Sequence, residues 1–141
     1  MNEATWNECV INNTSLKITP DKAKAKSLVE TAMQRIKFTE KKTPDSEELK
    51  FVYEDYYSSM IEIIHAILSI KGYKVMNHLC LGYYLRDILK KEKLYKEFDN
   101  ARIKRNNIVY YGKNTSEIIL KEDIENIKKL IKELEKTYEA Q

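Results

Sequence analysis

Apolar side chains recur along most of the chain in steps of three and four residues, the spacing that places them on one face of an α-helix. The pattern is cleanest near the end of the chain, at Leu120, Ile124, Ile127, Ile131, Leu134 and Tyr138. A helix with one apolar stripe packs that stripe against the rest of the fold. Thr115 or Ser116 is expected to cap this helix, and the lysines and glutamates between the stripe positions are expected to form a solvated face.

A second stripe predicts a long helix in the middle of the chain. Its apolar positions are Leu49, Val52, Tyr53, Tyr56, Met60, Ile63, Ile64 and Ile67, and Tyr57, Ile61 and Leu68 extend it sideways. A helix this broadly apolar is expected to lie centrally and to contact several neighbours. The run Thr43–Asp45 is predicted to begin it, and Gly72 to end it.

Two further helices are predicted before the central one. The first is short and surrounds Trp6, and the polar run Asn12–Ser15 ends it. The second begins at Thr19, a capping hydroxyl followed by a proline suited to the first turn, and runs to about Glu40.

Another two helices are predicted between the central helix and the last one. Asn77 can cap the first of them, whose inner face is formed by Leu81, Tyr84, Leu85 and Ile88. Gly82 lies inside this helix and permits close approach of another backbone. The second helix is predicted from about Glu92 to Tyr111, and Gly112 is expected to end it.

Composition agrees with a helical fold. The chain has 141 residues, of which only 3 are glycine and 2 are proline. An all-β sandwich or barrel requires many tight turns, which depend on those two residue types. The predicted fold class is therefore all-α, an antiparallel bundle of four to five helices plus a short N-terminal helix. Since no repeat or linker interrupts the pattern, residues 1–141 are expected to form a single domain.

Charge and cysteine usage bear on the surroundings of the protein. The formal net charge is +3, from 25 Lys and Arg against 22 Asp and Glu, so nucleic-acid binding requires a local basic patch. Cys9 and Cys80 lie far apart and are expected to be two reduced thiols, which suits a cytoplasmic protein. No signal peptide and no membrane-spanning run are expected.

The predicted fourth helix contains a conflict between pattern and chemistry. Its apolar stripe is formed by Leu94, Phe98, Ala101 and Ile108, and Arg105 falls in the middle of it. A buried guanidinium without a partner is costly. Arg105 can therefore pair with an acid such as Glu54, Asp55 or Glu62, can extend its charged end to the surface, or can line a cleft or interface that binds an anion.

The neighbours of Arg105 favour phosphate chemistry. Arg102 and Asn106 lie on the flank of the stripe, and Tyr110 and Tyr111 follow within about one helical turn. Arginine binds phosphate through two parallel hydrogen bonds, and tyrosine can stack on a base. These residues together are able to hold a phosphodiester.

This motif and several others resemble the HEPN family (higher eukaryotes and prokaryotes nucleotide-binding), especially its archaeal members. The segments that carry the resemblance are TPDKAKAK from Thr19, YEDYY at Tyr53–Tyr57, GYKVMNHLCL from Gly72, and RIKRNNIVYYGK at Arg102–Lys113. They cover nearly the whole chain. The family hallmark is an arginine, a polar residue and, a few residues later, a histidine on a late helix.

The resemblance implies a helical bundle that dimerises with the motif helices facing each other. Many members are metal-independent ribonucleases that act as the toxin of a toxin–antitoxin pair, and the usual antitoxin is a minimal nucleotidyltransferase. By the resemblance, Arg102, Arg105, Asn106 and Tyr110 occupy the catalytic positions. No cofactor is implied, and the expected binding residues are Tyr111, Lys113 and His78.

One position departs from the family pattern. Tyr110 stands where the family has its histidine, and a phenol with a pKa near ~10 is a poor base at neutral pH. Some members also carry a tyrosine two places later, where this chain has Gly112 and Tyr111 is out of register. His78 can replace the missing base if its helix faces Arg102 and Arg105.

Three hypotheses about the function of the protein follow from these observations. One is an RNA-cleaving toxin, and another is a non-catalytic dimer that binds nucleotide or RNA and partners a nucleotidyltransferase. In the third, Arg105 is only a paired core cation. A zinc site formed by Cys9, Cys80, His65 and His78 is not favoured, because their spacing matches no ligand pattern.

Overall fold

The structure is a computed structural model, and it describes residues 4–109 and 115–141. A π-helical turn, Tyr84–Ile88, directly continues the fourth helix. The helices and strands are α1 (Trp6–Ile11), β1 (Ser15–Lys17), α2 (Lys22–Glu40), α3 (Leu49–Lys71), β2 (Tyr73–Val75), α4 (His78–Tyr83), α5 (Glu92–Val109) and α6 (Glu117–Glu139). The all-α bundle predicted from the apolar pattern is confirmed.

Helix α3 lies at the centre of the bundle. It packs against α2, α5 and α6 and also contacts β2 and α4. Its buried side chains cover most of its circumference and include Tyr53, Tyr57, Met60, Ile63, Ile64, Ile67 and Leu68. The stripe of α6 is likewise buried at Leu120, Ile124, Ile127, Ile131 and Leu134. The broad apolar pattern therefore correctly predicted a central helix, and the narrow stripe correctly predicted the buried face of α6.

Helix starts were predicted with mixed success. Asn77 caps α4 by accepting a hydrogen bond from the Cys80 amide at 2.9 Å, and Ser116 caps α6, as expected. At α2 the cap is Asp21, not Thr19, because the Asp21 carboxylate accepts from the Lys24 amide at 2.9 Å.

The start of α3 lies later than predicted. Asp45 and Glu48 exchange hydrogen bonds between side chain and backbone, at 3.1 and 3.0 Å, in a turn that precedes the helix. This reciprocal arrangement is that of a capping box, so the acidic residues stabilise a separate turn and α3 begins only at Leu49.

Two glycines have clear roles. Gly72 ends α3 with φ +84°, and a Cβ there would lie 2.5 Å from the carbonyl oxygen of Ile18. Gly82 allows close approach, but of a side chain: a Cβ there would lie 2.9 Å from the Phe98 ring. The prediction that Ile88 faces inward was wrong, since it is half exposed. The π-helical turn has more residues per turn, which rotates Ile88 away from the face of Leu81.

Cys9 and Cys80 form a disulfide that joins α1 to α4. The expectation of two reduced thiols was therefore wrong, and the argument from reduced thiols to a reducing compartment no longer holds. Their separation of 71 residues hid the pairing. The strands β1 and β2, which were not predicted, pair antiparallel with Ser15 opposite Val75 and so hold the segment after α1 against the end of α3.

Within residues 4–109 and 115–141, none of the helices combines the length and the apolar character needed to cross a bilayer.

Candidate site at the arginine pair of α5

Arg105 projects from α5 toward α3 and binds Glu54. Its Nε and Nη2 atoms donate to the two carboxylate oxygens of Glu54, each at 3.0 Å. The Arg105 side chain is 17% exposed and that of Glu54 is 34% exposed. The internal pairing considered for Arg105 is therefore present, with the first of the three candidate acids, and the two-point geometry is that of a charge-assisted fork.

The other two candidate acids serve different partners. Asp55 accepts a hydrogen bond from the Thr39 hydroxyl at 3.2 Å. Glu62 forms an ion pair with Arg35 of α2. Glu62 lies eight positions after Glu54 on α3, about 12 Å along the helix axis at a rise of about 1.5 Å per residue. Arg35 and Glu62 thus form another arginine–carboxylate pair, between α2 and α3, that is remote from the motif.

Arg105 also lies over the ring of Tyr57, with its Cζ atom 5.1 Å from the ring centroid. The Tyr57 hydroxyl is 2.8 Å from Nδ1 of His78. Tyr57 is only 1% exposed, so its ring is held rigidly in the core of the bundle. One tyrosine therefore contacts both the motif arginine and the histidine that opens α4, through a cation–π contact and a hydrogen bond.

His78 has the electrostatic surroundings of a neutral imidazole. Burial lowers the pKa of His78 below its ordinary value, and the positive charges of Arg105 and Arg102 lower it further, while Glu54 opposes them. At neutral pH the ring is uncharged. The charges of both arginines act on the His78 ring. The hypothesis that His78 replaces the missing base stays a prediction.

Arg102 is held by an acid from its own helix. Its Nε and Nη2 atoms donate to Oδ1 of Asp99 at 3.0 and 2.9 Å. The Arg102 side chain is only about a fifth exposed. Sequence reasoning missed Asp99, although the i,i+3 spacing from Arg102 is a signal for such a pair. We call Glu54, Tyr57, His78, Asp99, Arg102 and Arg105 together the arginine cluster.

The other predicted site residues lie beside the cluster or outside the described part of the chain. Asn106 is half-buried on α5, and its amide makes no hydrogen bond to another described residue. Tyr110, Tyr111 and Lys113 fall in the segment 110–114, outside the described residues. Their expected roles stay predictions.

A second histidine lies near the first. Burial lowers the pKa of His65 on α3 to about 4, and the neighbouring His78 and Lys24 contribute to the shift. His65 makes no hydrogen bond to another described residue. It therefore stays uncharged over a wide pH range, and its ring packs as an apolar group.

A metal site is not formed by the residues that can be described. Within residues 4–109 and 115–141, no three His, Cys, Asp or Glu side chains come together as ligands. The sulfur atoms of Cys9 and Cys80 are bonded to each other in the disulfide, so these residues are not thiolate ligands for zinc.

A separate cavity of about 210 Å³ lies between α5 and α6, lined in part by Tyr53, Asn100 and Asn126. An ion pair between Lys104 and the buried Asp123 crosses it. The Tyr53 hydroxyl donates to the carbonyl oxygen of Ala101 at 3.1 Å. The side chains of Asn100 and Asn126 make no hydrogen bond to another described residue, and none of the residues that line the cavity belongs to the arginine cluster.

Comparison of the chain with protein-family models, with curated proteins and with solved structures gives no match. The arginine cluster offers the two guanidinium groups of Arg102 and Arg105 and the neutral imidazole of His78, which form a donor set suited to an anion with several oxygens.

Proposed function

We propose that this chain is a HEPN-like module that binds RNA through its phosphodiester backbone at the arginine cluster. The observation that supports the proposal most strongly is that Tyr57 contacts both Arg105 and His78, while the charges of Arg105 and Arg102 act on the His78 ring. Arg102 and Arg105 belong to the motif that resembles the family hallmark. Planar guanidinium groups bind phosphate oxygens in pairs, and a neutral imidazole can add one more hydrogen bond.

In the free protein, carboxylates bind the guanidinium groups in place of phosphate. Glu54 takes two nitrogens of Arg105, and Asp99 takes two of Arg102. Both acids have side chains roughly a third exposed, so each can turn toward solvent when a phosphate arrives. The acids hold the arginines in position, and RNA binding consists in part of exchanging carboxylate for phosphate.

The proposal extends to assembly and partners. We propose that the cluster acts in a homodimer in which the α5 helices face each other, as the family resemblance implies. Ile103 and Val109 of α5 expose large apolar side chains, which a second copy of the chain would cover. A nucleotidyltransferase antitoxin as the partner protein rests on the resemblance alone.

RNA cleavage is a second candidate function, favoured by one specific observation. His78 is a neutral imidazole under the influence of two arginine charges. A neutral imidazole can accept a proton from a ribose 2′-hydroxyl while arginine stabilises charge on phosphorus. Under the cleavage hypothesis, His78 performs the acid–base role for which Tyr110 is poorly suited.

The proposal is tested by fluorescence anisotropy with a labelled single-stranded RNA over a range of salt concentrations. We expect saturable binding that weakens with salt, and a loss of roughly tenfold or more on Arg105→Ala. The matched control is Arg35→Ala, which removes the same side chain from the remote pair with Glu62. Binding that both substitutions reduce equally would contradict a site at the arginine cluster.

Two further arms of the experiment separate the candidates. Competition with free nucleotides and with inorganic phosphate tests whether a single phosphate is enough for recognition. Incubation of the same RNA with and without a chelator, followed by gel analysis, tests cleavage. Binding without cleavage supports the RNA-binding module, whereas chelator-resistant cleavage that is lost in His78→Ala supports the ribonuclease.

A further inference from the structure

The hydrogen bond between Tyr57 and His78 leaves one ring nitrogen of His78 available. The Tyr57 hydroxyl lies 2.8 Å from Nδ1, so Nδ1 is the inward nitrogen. The other nitrogen, Nε2, has no hydrogen-bond partner among the described residues. It is not one of the buried polar atoms without a partner, so it reaches solvent. Whether Nε2 carries a proton decides if His78 donates a hydrogen bond or acts as a base.

The chemistry of the two partners favours one arrangement. A neutral imidazole has one N–H and one nitrogen lone pair, and a phenol can donate or accept. Phenol is the stronger acid of the two donors, and the imidazole lone pair is a far better acceptor than a phenol oxygen. The hydrogen bond is therefore strongest when the Tyr57 O–H donates to Nδ1, which leaves the proton of the ring on Nε2.

The groups around the pair act in the same direction. The Arg105 guanidinium lies over the Tyr57 ring and draws electron density from it, which makes the phenol a better donor. Burial, Arg105 and Arg102, in that order, disfavour the charged imidazolium, and Glu54 opposes them. Because the ring stays neutral, Nδ1 keeps the lone pair that accepts the bond from Tyr57.

We propose that Tyr57 fixes His78 as the Nε2–H tautomer, so that His78 presents a neutral N–H donor beside Arg102 and Arg105 to the same phosphate. Tyr57 is then a positioning residue, which orients one ligand group through its hydroxyl and supports another through its ring. This inference rests on the proposed RNA-binding function, and it deepens that function by assigning His78 as a donor and not a base.

The tautomer is measured by NMR of protein labelled with ¹⁵N in its histidine rings. The chain has 2 histidines, so His65→Gln leaves the signals of His78 alone. At neutral pH we expect Nε2 to show the chemical shift of a protonated nitrogen and Nδ1 that of an unprotonated one, and Tyr57→Phe to mix the two forms. Protonation at Nδ1 in the parent protein would overturn the proposal, and this result requires no RNA.

Binding supplies the second readout. The side-chain amide of glutamine can place an N–H₂ group near the position of Nε2, whereas the shorter asparagine reaches only the position of Nδ1. We expect His78→Gln to retain most of the affinity for the labelled RNA, and His78→Asn and Tyr57→Phe to lose several-fold. Tyr57→Phe keeps the ring under Arg105, so its loss reports the hydroxyl.

The outcomes distinguish this inference from the proposed function. If His78→Asn, His78→Gln and Tyr57→Phe all bind RNA like the parent protein while Arg105→Ala does not, the role of His78 is refuted and the RNA site stands. If Arg105→Ala also binds like the parent protein, the proposed function fails, and the NMR result still decides the tautomer.

Discussion

Glu54 forms a fork with Arg105 through the same two guanidinium nitrogens that a phosphate would use. The pair can therefore be understood as a resting state of an anion site or as a structural ion pair, and the two interpretations predict opposite effects when the acid is removed. An acid that competes with the ligand weakens binding, whereas an acid that only orients the arginine strengthens it.

We predict that Glu54→Gln tightens RNA binding by roughly tenfold, which corresponds to about 1.4 kcal/mol. Glutamine keeps the shape of the side chain but removes the negative charge that competes with phosphate. The measurement is the anisotropy titration at fixed salt, and Glu62→Gln, the acid of the remote pair, is the control. Weaker binding of Glu54→Gln than of the control would identify Glu54 as a purely orienting group.

His65 gives a prediction about stability and pH. Its folded-state pKa of about 4 lies below the ordinary value of 6.5, so the folded protein binds fewer protons than the unfolded chain between these values. Stability conferred by the neutral ring is present above about pH 6.5 and is lost as the pH falls toward about 4. The loss is on the order of 3 kcal/mol.

Urea unfolding at a series of pH values measures this dependence. His65→Leu replaces the ring with an apolar side chain, and we expect it to reduce the slope of the profile in that window. His78, whose pKa is also lowered, keeps the remaining slope. Asp87, whose pKa is lowered by Arg86 and by the Trp6 amide, affects stability only at lower pH and serves as an internal comparison. An unchanged profile in His65→Leu would show that another group titrates there.

Gly82 fixes the distance between α4 and α5, and thereby the position of His78 relative to the arginines. A Cβ at this position would meet the Phe98 ring at 2.9 Å and the Tyr95 ring at 3.2 Å. Because Phe98 is completely buried, it has little room to move. The close contact between α4 and α5 therefore depends on the absence of a side chain at Gly82.

We predict that Gly82→Ala destabilises the fold by about 1–3 kcal/mol, the usual effect of overpacking a core. Alanine normally stabilises a helix relative to glycine, so the sign of the change is informative. Thermal unfolding measures it, and Phe98→Leu combined with Gly82→Ala should restore part of the loss. A more stable Gly82→Ala protein would show that α4 can shift without penalty.

Local signals predicted most of the helices, and non-local contacts explain the failures. The sequence reveals helix caps that act within a few residues. Examples are the side-chain caps at Asn77 and Ser116 and the left-handed conformation of Gly72, which ends α3. The pairing of β1 with β2 joins segments that are far apart in the chain and only three residues long. No periodicity can develop over three residues.

The candidate site was also predictable only where local signals along the chain define it. Helical phase placed Arg105 on an apolar stripe, and the cost of a buried charge led to Glu54 as one of three acids considered as its partner. The contact of Tyr57 with both Arg105 and His78 depends on the packing of α3, α4 and α5, which no spacing along the chain encodes. Tyr57 itself was interpreted as a sideways extension of the core stripe and as part of the YEDYY segment, not as a site residue.

The disulfide between Cys9 and Cys80 attaches the N-terminal segment to the rest of the bundle. Trp6 of the same segment packs against Tyr73 and Tyr84 at centroid distances of 5.2 and 5.0 Å. Its amide donates to Asp87 at 2.8 Å. The segment is therefore anchored by packing and by hydrogen bonds in addition to the covalent link.

We predict that reduction lowers the free energy of unfolding by about 4 kcal/mol, the chain-entropy estimate for a loop of this length. Urea titrations with and without reductant measure the difference, and the Cys9→Ser, Cys80→Ser double variant should match the reduced protein. Since Trp6 anchors the segment independently, the reduced protein should still unfold in one transition. Identical curves with and without reductant would show that the disulfide is absent in solution.

The most direct test of RNA binding at the arginine cluster is a double-variant cycle on RNA affinity with Glu54→Gln and Arg105→Ala. If Glu54 competes with phosphate for Arg105, Glu54→Gln tightens binding in the parent protein and has little effect once Arg105 is alanine. A gain of the same size in both backgrounds would contradict the proposal, because the removed charge would then act on RNA bound elsewhere.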